Sequence, residues 1–283
     1  MVLPYAELMK LERSFSYRWD ARDVMLYALG IGMPSDPLDE RELAYVTEGL
    51  PPVLPTFFAM ASVLDSAIAH AGMDFTKLLQ GEQSVSMHRP APSCGDVVIK
   101  SRMIGVWDKG IGKGAVFRDQ SDLYLPGEDQ PFATVSNTEF GRAEGGFGAP
   151  GHEQPAPHPL PERAPDKVLF LPTSRQQALL YRQVSNDLNP LHSDPAAARA
   201  AGFREPILHG LCTMAICQRA IIGEFAGFEP DRLKHIEVRF TGVVYPGESL
   251  RIEAWRGDKT VAFQAFAVER ESKVIGNGKA VIA

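Results

Sequence analysis

One short stretch in the second half of the chain carries the side chains best suited to chemistry. In Tyr181-Arg-Gln-Val-Ser-Asn-Asp-Leu-Asn-Pro-Leu-His192 an acid (Asp187), an amide (Asn189) and an imidazole (His192) lie close together, and Pro190 separates the last two. Proline fixes its own φ and disfavours helix in the residue before it, so Asn189 and Leu191 are not expected to continue a regular helix. A stiff turn presenting a carboxylate and an imidazole can hold one water molecule between two proton-transfer groups. The same residue types also build plain polar loops, in which Asn and Asp cap a turn. Taken alone, the stretch supports both readings.

The elements that must position this turn follow from periodicity and punctuation. Residues 13–33 open with Ser14-Phe-Ser-Tyr17. Asp20 then suits a helix N-cap; Val24, Leu26 and Tyr27 give a short amphipathic helix, and Gly30 and Gly32 stop it. After a polar stretch and a proline-rich link at 50–55, the apolar, Ala-rich run 56–71 predicts a helix ended by Gly72, with 74–79 as one more helical turn. The period then changes. Residues 84–88, 96–107, 114–118, 121–125 and 132–140 read as strands separated by Pro, Gly and Asp turns, and strands without intervening helices pair antiparallel. Residues 141–167 hold too much Gly and Pro for an element, and the domain boundary falls there. The second half repeats the order. It has a strand at 167–172, a helix at 175–182 capped by Ser174, the acid–imidazole turn, a short helix at 195–201, and a long apolar helix at 211–225. Strands at 234–240, 249–256, 260–270 and 273–282 follow.

The halves are also related in sequence. Leu26-Tyr27-Ala-Leu-Gly-Ile-Gly32 aligns with Leu180-Tyr181-Arg-Gln-Val-Ser-Asn186. Gly95 with its following Asp-Val-Val-Ile aligns, less closely, with the stretch from Gly247, at nearly the same offset. Two matches at nearly equal offsets indicate a duplicated unit. On that register Asp187 falls on Met33 and His192 on Leu38. One proton-transfer site per chain follows, and the first half is left to binding and shape.

Bulk composition bounds the class. The 283 residues are 45% hydrophobic and 23% charged, as in a soluble globular protein of one large or two ordinary domains. A net charge of −6 without a basic stretch argues against nucleic acid as the main partner, and no apolar run is long enough for a membrane span. The three cysteines fit neither a disulfide framework nor a CxxC metal site. Cys212 and Cys217 read as core packing, and a reducing cytoplasm is the expected location. No signal peptide or peroxisomal tripeptide is expected at the ends. His152 and His158 fall in the linker, so no metal-ligand cluster is expected. Gly110, Gly112 and Gly114 mimic a phosphate loop, but a strand follows them and there is no Gly-Lys-Ser/Thr, so that reading is rejected.

The stretch 181–192 resembles the signature of the MaoC-like R-specific enoyl-CoA hydratases at every signature position except Asn186, where that family has Gly. The similarity continues through Gly202-Phe203, Pro206-Ile-Leu-His-Gly-Leu-Cys-Thr213 and Arg239-Phe240. It implies an α+β double hot-dog fold, two repeats that are each a long helix wrapped by an antiparallel sheet. Residues 1–145 would be the N-terminal repeat, binding acyl chain and CoA without a catalytic pair. Residues 146–166 would be the linker, and 167–283 the repeat with the catalytic motif. The resemblance further implies reversible hydration of trans-2-enoyl-CoA to (R)-3-hydroxyacyl-CoA by a homodimer. No metal or redox cofactor is implied, since coenzyme A belongs to the substrate.

That reaction adds hydroxyl at C3 and a proton at C2 while negative charge builds on the thioester oxygen. It needs groups to hold and deprotonate water, a proton donor for C2 and a donor to the oxyanion. His192, with an ordinary pKa of about 6.5, is assigned as the base. Asp187 holds the same water and returns a proton to C2, although the sequence leaves the two roles exchangeable. Asn189 orients its neighbours. Gly210 opens the long helix, where unpaired N–H groups and the positive dipole end suit an oxyanion; the alternative is a glycine that only relieves crowding. His209 reads as a packing or hydrogen-bonding residue.

By resemblance, Gln80, Gly81 and Phe240 line the CoA-ester site, and Leu188, Pro190 and Leu191 are placed against the acyl-CoA. Lys109 contacts CoA as a point charge or is only a hairpin lysine. Glu48, in Tyr45-Val-Thr-Glu48-Gly49, supports the site or is an ordinary surface residue. Asn186 is the best non-Gly choice for a left-handed position and would reshape the acyl side. Two rivals stand. One is a dehydratase of a branched, dicarboxylic or steroid-side-chain acyl-CoA. The other is a non-catalytic acyl-CoA-binding subunit, against which the retained Asp187 and His192 speak. Thioester hydrolysis shares the fold with other residue patterns. The Ala-rich helix behind the prolines predicts room for a bulky acyl group.

Overall fold

Period-two alternation builds most of the molecule. The computed structural model describes residues 2–73, 78–148 and 153–283. Among these, ten strands form one sheet in the order β1-β3-β4-β5-β2-β7-β10-β9-β8-β6. The first half supplies β1 (Glu12–Trp19), β2 (Leu78–Met87), β3 (Gly95–Asp108), β4 (Ala115–Tyr124) and β5 (Ala133–Gly141). The second supplies β6 (Lys167–Pro172), β7 (Leu233–Phe240), β8 (Ser249–Arg256), β9 (Thr260–Ala267) and β10 (Ser272–Ile282). Neighbours run antiparallel throughout. The halves meet where β2 pairs with β7, from Glu82 opposite Arg239 to Ser86 opposite His235.

Three strand expectations change. The segments expected at 114–118 and 121–125 are one continuous β4. A strand that was not expected, β1, precedes the helix that begins after Asp20 and turns Phe15, Tyr17 and Trp19 toward the core while Ser14, Ser16 and Arg18 face out. The last part of the strand expected at 260–270 is a 3-10 turn at Val268–Arg270.

Helices pack on the inner face. The first half has α1 (Tyr5–Leu8), α2 (Ala21–Gly30), α3 (Glu40–Leu43) and α4 (Thr56–Ser62); the second has α5 (Gln177–Ser185), α6 (Pro195–Ala200) and α7 (Gly210–Ala226). Asp20 and Asp23 form a reciprocal capping box on α2. α7 is buried almost all round because it lies between α4 and strands β7 and β10. Its Gln218 accepts a hydrogen bond from the Thr56 N–H at 3.0 Å, so the long helix caps the short one. Arg219 of α7 grips Glu42 of α3 through two 2.8 Å contacts and donates to the Gly32 carbonyl at 2.7 Å. This is the double hot-dog arrangement, with one full-length helix and one short one.

The short one corrects an expectation. The helix expected over 56–71 stops at Ser62 and is followed by a single 3-10 turn at Ile68–His70. Backbone amides that a longer helix would have satisfied internally go to side chains of the sheet instead. Ala67 donates to Ser101 Oγ at 3.0 Å and Ile68 to Asp119 Oδ2 at 3.1 Å. Of the further helical turn expected at 74–79, residues 74–77 lie outside the described residues, and Leu78 and Leu79 belong to β2. The described linker residues contain neither helix nor strand; 149–152, with His152, lie outside them. The helix expected at 175–182 starts two residues later and runs to Ser185. The Gln177 side chain accepts the Ser174 N–H at 3.2 Å, so Ser174 is held by the helix rather than capping it.

Candidate active site

The end of α5 sets the turn. Asn186 adopts the left-handed conformation, φ 53° and ψ 22°, immediately after the last helical residue. This is the backbone a helix-terminating glycine usually supplies, and Asn tolerates it better than other side chains. The chain then locks itself by short side-chain caps. Ser185 Oγ accepts the Asp187 N–H at 3.2 Å, Asp187 Oδ1 accepts the Asn189 N–H at 3.0 Å, and Asn189 Oδ1 accepts the Leu191 N–H at 3.0 Å. Pro190 opens a 3-10 turn, Pro190–His192, where its missing N–H costs nothing. Asp187 Oδ2 takes no part in these caps.

His192 is buried, and its Nδ1 lies 2.8 Å from the Ile207 carbonyl. A carbonyl only accepts, so Nδ1 carries the proton and Nε2 presents a lone pair. That Nε2 stands 3.9 Å from Asp187 Oδ2. The gap is too long for a direct hydrogen bond, and one water at ordinary distance from both atoms spans it. Burial pushes the His192 pKa below its usual value. The Ile207 carbonyl and Asp187 oppose that shift, while Arg182 adds to it.

His209 completes the cluster. Its ring stacks on that of His192 with centroids 3.6 Å apart and 22° between planes, and its Nε2 is also 3.9 Å from Asp187 Oδ2. Burial first, and His192 second, hold its pKa down to about 2, so it stays neutral. Against the expectation of no metal-ligand cluster, ligand atoms of Asp187, His192 and His209 lie within 4.8 Å of one another. Two nearly parallel rings that close, however, cannot both aim in-plane lone pairs at one ion about 2.0–2.1 Å away. The set suits proton transfer better than metal binding.

These groups face a cavity of about 790 Å³ that both halves line. Of the residues singled out in the sequence, Asp187, Asn189, Leu191, His192, Gly210, Gln80, Gly81 and Phe240 meet there. Gly210 is the first residue of the seventeen-residue α7, so its amide belongs to the unpaired N-terminal turn. It is also crowded. A Cβ there would lie 2.5 Å from Gln80 Oε1 and 3.2 Å from the Phe240 ring. The geometry accommodates both the oxyanion and the crowding reading.

Other expected residues stand elsewhere. Leu188 is exposed because the two side-chain caps on either side of it turn it outward. Pro190 is exposed and shapes the turn. Lys109 is exposed on the β3–β4 hairpin with Nζ donating to Gln154 Oε1 at 3.1 Å, and Glu48 is exposed beyond α3. Leu188, Pro190, Lys109, Glu48 and Asn186 are all outside the cavity lining.

The structure also adds residues. Ser66 enters the lining because α4 ends early, and β5 contributes Asn137 and Glu139. Burial, with the fields of Asp119 and Asp187, pushes the Glu139 pKa up to about 8 against the Asn137 amide, which lowers it. Their signal in the sequence was a phase error. Ala133, Val135, Asn137, Glu139 and Gly141 share the inward face of β5, and polar residues in that phase mark function or fault.

Comparison with known proteins adds to this geometry. Residues 157–278 match the model of the MaoC like domain, and residues 17–142 that of the MFE-2 hydratase 2 N-terminal domain. The chain is 37% identical over 269 residues to an enoyl-CoA hydratase of Mycobacterium tuberculosis, covering 93% of this chain and 92% of the relative. It is 36% identical over 279 residues to the peroxisomal enoyl-CoA hydratase 2 of Arabidopsis thaliana, covering 92% and 89%. The crystal structure of a MaoC-like dehydratase from Phytophthora capsici superposes with a TM-score of 0.87 at 31% identity, covering 99% of this chain and 98% of that one.

Proposed function

The chain belongs to the MaoC-like hydratases that carry an MFE-2 hydratase 2 N-terminal domain, and from that premise we propose that it hydrates trans-2-enoyl-CoA reversibly to (R)-3-hydroxyacyl-CoA. It is a hydro-lyase. The observation that carries the mechanism is the 3.9 Å gap between His192 Nε2 and Asp187 Oδ2, in the same cavity as the free amide end of α7. A water held in that gap gives a proton to His192 Nε2 as its oxygen attacks C3. Charge moves to the thioester oxygen, which takes a hydrogen bond from the Gly210 N–H. The proton then passes through the pair to C2, with Asp187 as the group we assign to deliver it. Both side chains end as they began. A lowered His192 pKa supports this, because the base must be neutral near pH 7. The chemistry calls for no metal or redox cofactor.

The test is loss of enoyl-thioester absorbance with crotonyl-CoA and trans-2-decenoyl-CoA, comparing wild type with Asp187→Asn and His192→Gln. Each variant should lose about 10²- to 10⁴-fold in kcat. Binding of the esters without turnover by wild type would favour the non-catalytic subunit instead. A second reading, dehydration of bulkier acyl groups, is favoured by the early end of α4, which leaves Val63, Ser66, Ile68 and Ala69 lining the cavity. Relative rates on branched and straight enoyl-CoA esters separate the two.

We take the working form to be a homodimer in the cytoplasm. Light scattering tests the dimer and fluorescent tagging the location, for which the peroxisome of the Arabidopsis relative is the rival. Among the described residues no helix is long and apolar enough to cross a membrane.

A further inference from the structure

The first-half wall of the cavity is more polar than a hydrocarbon chain requires. Glu139 on β5 sits directly across from Gln80 on β2, and Gln80 reaches Gly210, so the Glu139 carboxyl shares a wall with the thioester site. Two residues along the same face, Asn137 is 5% exposed and points Nδ2 at Glu139 Oε1 across a long 3.4 Å contact. Asn137 Oδ1 has no hydrogen-bond partner among the described residues. No described cation pairs with Glu139, and the charged groups that act on it are Asp119 and Asp187, both acids. A recessed carboxyl among acids stays protonated at neutral pH and then offers both an O–H donor and a carbonyl acceptor.

We propose that Glu139 and Asn137 recognise an uncharged oxygen substituent, a hydroxyl or ketone, on the acyl chain of the enoyl-CoA. The inference rests on the hydratase reading above and narrows its substrate class. A plain alkyl chain would strip water from both groups and give nothing back. A dicarboxylic acyl chain would gain nothing from a neutral Glu139 and would bring a further negative charge toward Asp187, with Arg142 the one arginine or lysine in the described lining. A hydroxyl or ketone meets a donor and an acceptor at once. Rejection of an analogue lacking such a partner is strong when the site is built for it.

The test separates recognition from catalysis. Saturated octanoyl-CoA, its analogues carrying a hydroxyl or a ketone at each carbon beyond C3, and the ω-carboxyl analogue are titrated calorimetrically into wild type, Glu139→Gln and Glu139→Leu. Turnover of crotonyl-CoA is measured alongside and reports on the hydratase reading by itself. At least one hydroxylated ester should bind wild type about tenfold tighter than octanoyl-CoA, roughly the yield of one well-placed hydrogen bond. Glu139→Gln should retain the preference, since an amide also donates and accepts. Glu139→Leu should reverse it, with the gain falling to plain octanoyl-CoA. In wild type the preference for a keto analogue should fade above about pH 8, where the carboxyl loses its donor proton, while a hydroxyl can still donate to the carboxylate. Equal binding of all esters by wild type, preference for the ω-carboxyl analogue, or an undiminished preference in Glu139→Leu overturns the proposal, whatever the crotonyl-CoA rate.

Discussion

Replacing Gly210 by alanine separates the two roles its position allows. The added Cβ would lie 2.5 Å from Gln80 Oε1, about 0.9 Å inside ordinary van der Waals contact, and 3.2 Å from the Phe240 ring. Gln80 is the part that yields. Among the described residues it is held at that end by a 3.3 Å bond from its Nε2 to Gln83 Oε1. Overpacking of this kind costs about 1–3 kcal/mol, and alanine in place of glycine in a helix returns about 0.5–1 kcal/mol. The net loss of stability is therefore roughly 0–2.5 kcal/mol, a few degrees in Tm at this size. Catalysis should suffer far more. A methyl group over the first amide of α7 holds the thioester oxygen away from it, and losing one oxyanion donor costs about 10²- to 10³-fold in kcat. The assay is kcat and KM on crotonyl-CoA beside thermal unfolding, for Gly210→Ala and for Gly210→Ala combined with Gln80→Ala. If crowding drives the defect, removing the Gln80 side chain restores both stability and turnover. If the amide drives it, stability returns and kcat does not. A folded Gly210→Ala enzyme within tenfold of wild-type kcat would refute the oxyanion assignment.

The kcat/KM profile should have its acid limb below pH 6.5, because neutral His192 is the base and burial holds its pKa down; a limb at or above 6.5 contradicts that role. His209 stays neutral in the fold to about pH 2 while the unfolded chain protonates it near 6.5. The unfolded state thus binds the extra proton, and stability falls with decreasing pH below about 6.5, by up to about 1.4 kcal/mol per unit. His209→Phe should flatten that slope in denaturant titrations between pH 6.5 and 4.5. Asn186→Gly should leave turnover intact and shift stability by no more than about 1 kcal/mol, whereas Asn186→Val, forced to φ 53°, should destabilise by roughly 1–2 kcal/mol and lower kcat by displacing Asp187. Glu42→Leu strands the buried Arg219 guanidinium and should cost about 3–5 kcal/mol in urea unfolding, with the double change to Glu42→Leu and Arg219→Met recovering most of it.

The fold was largely legible because its signals are local and repeated. Period-two runs marked most strands, and Asp20 and Gly30 marked the two ends of α2. β1 was passed over because its outward residues are serine and arginine, although Phe15, Tyr17 and Trp19 kept the alternation. The end of α4 at Ser62 was not legible. What unwinds the segment is Ser101 and Asp119 on distant strands, and no pattern within 56–71 reveals them.

The site divides in the same way. Asp187, Asn189 and His192 could be read from one turn because a proline and short caps fix it locally. The stacking of His209 on His192 depends on where α7 begins in space. Leu188 lay inside the motif and still faces outward, since the caps on both sides decide its direction. Glu139 and Asn137 were visible only as polar residues in an apolar phase.

The uninterrupted ladder from β2 to β7 has a consequence for how such a chain diversifies. The half without the acid and the imidazole is joined to the half that carries them by main-chain hydrogen bonds, which depend little on the side chains either half presents. Val63, Ser66, Asn137 and Glu139 can therefore be exchanged to suit a new substrate while the proton-handling turn, on the other side of the seam, keeps its register. Selection, or a library confined to those four positions, acts on what is accepted and leaves the chemistry alone.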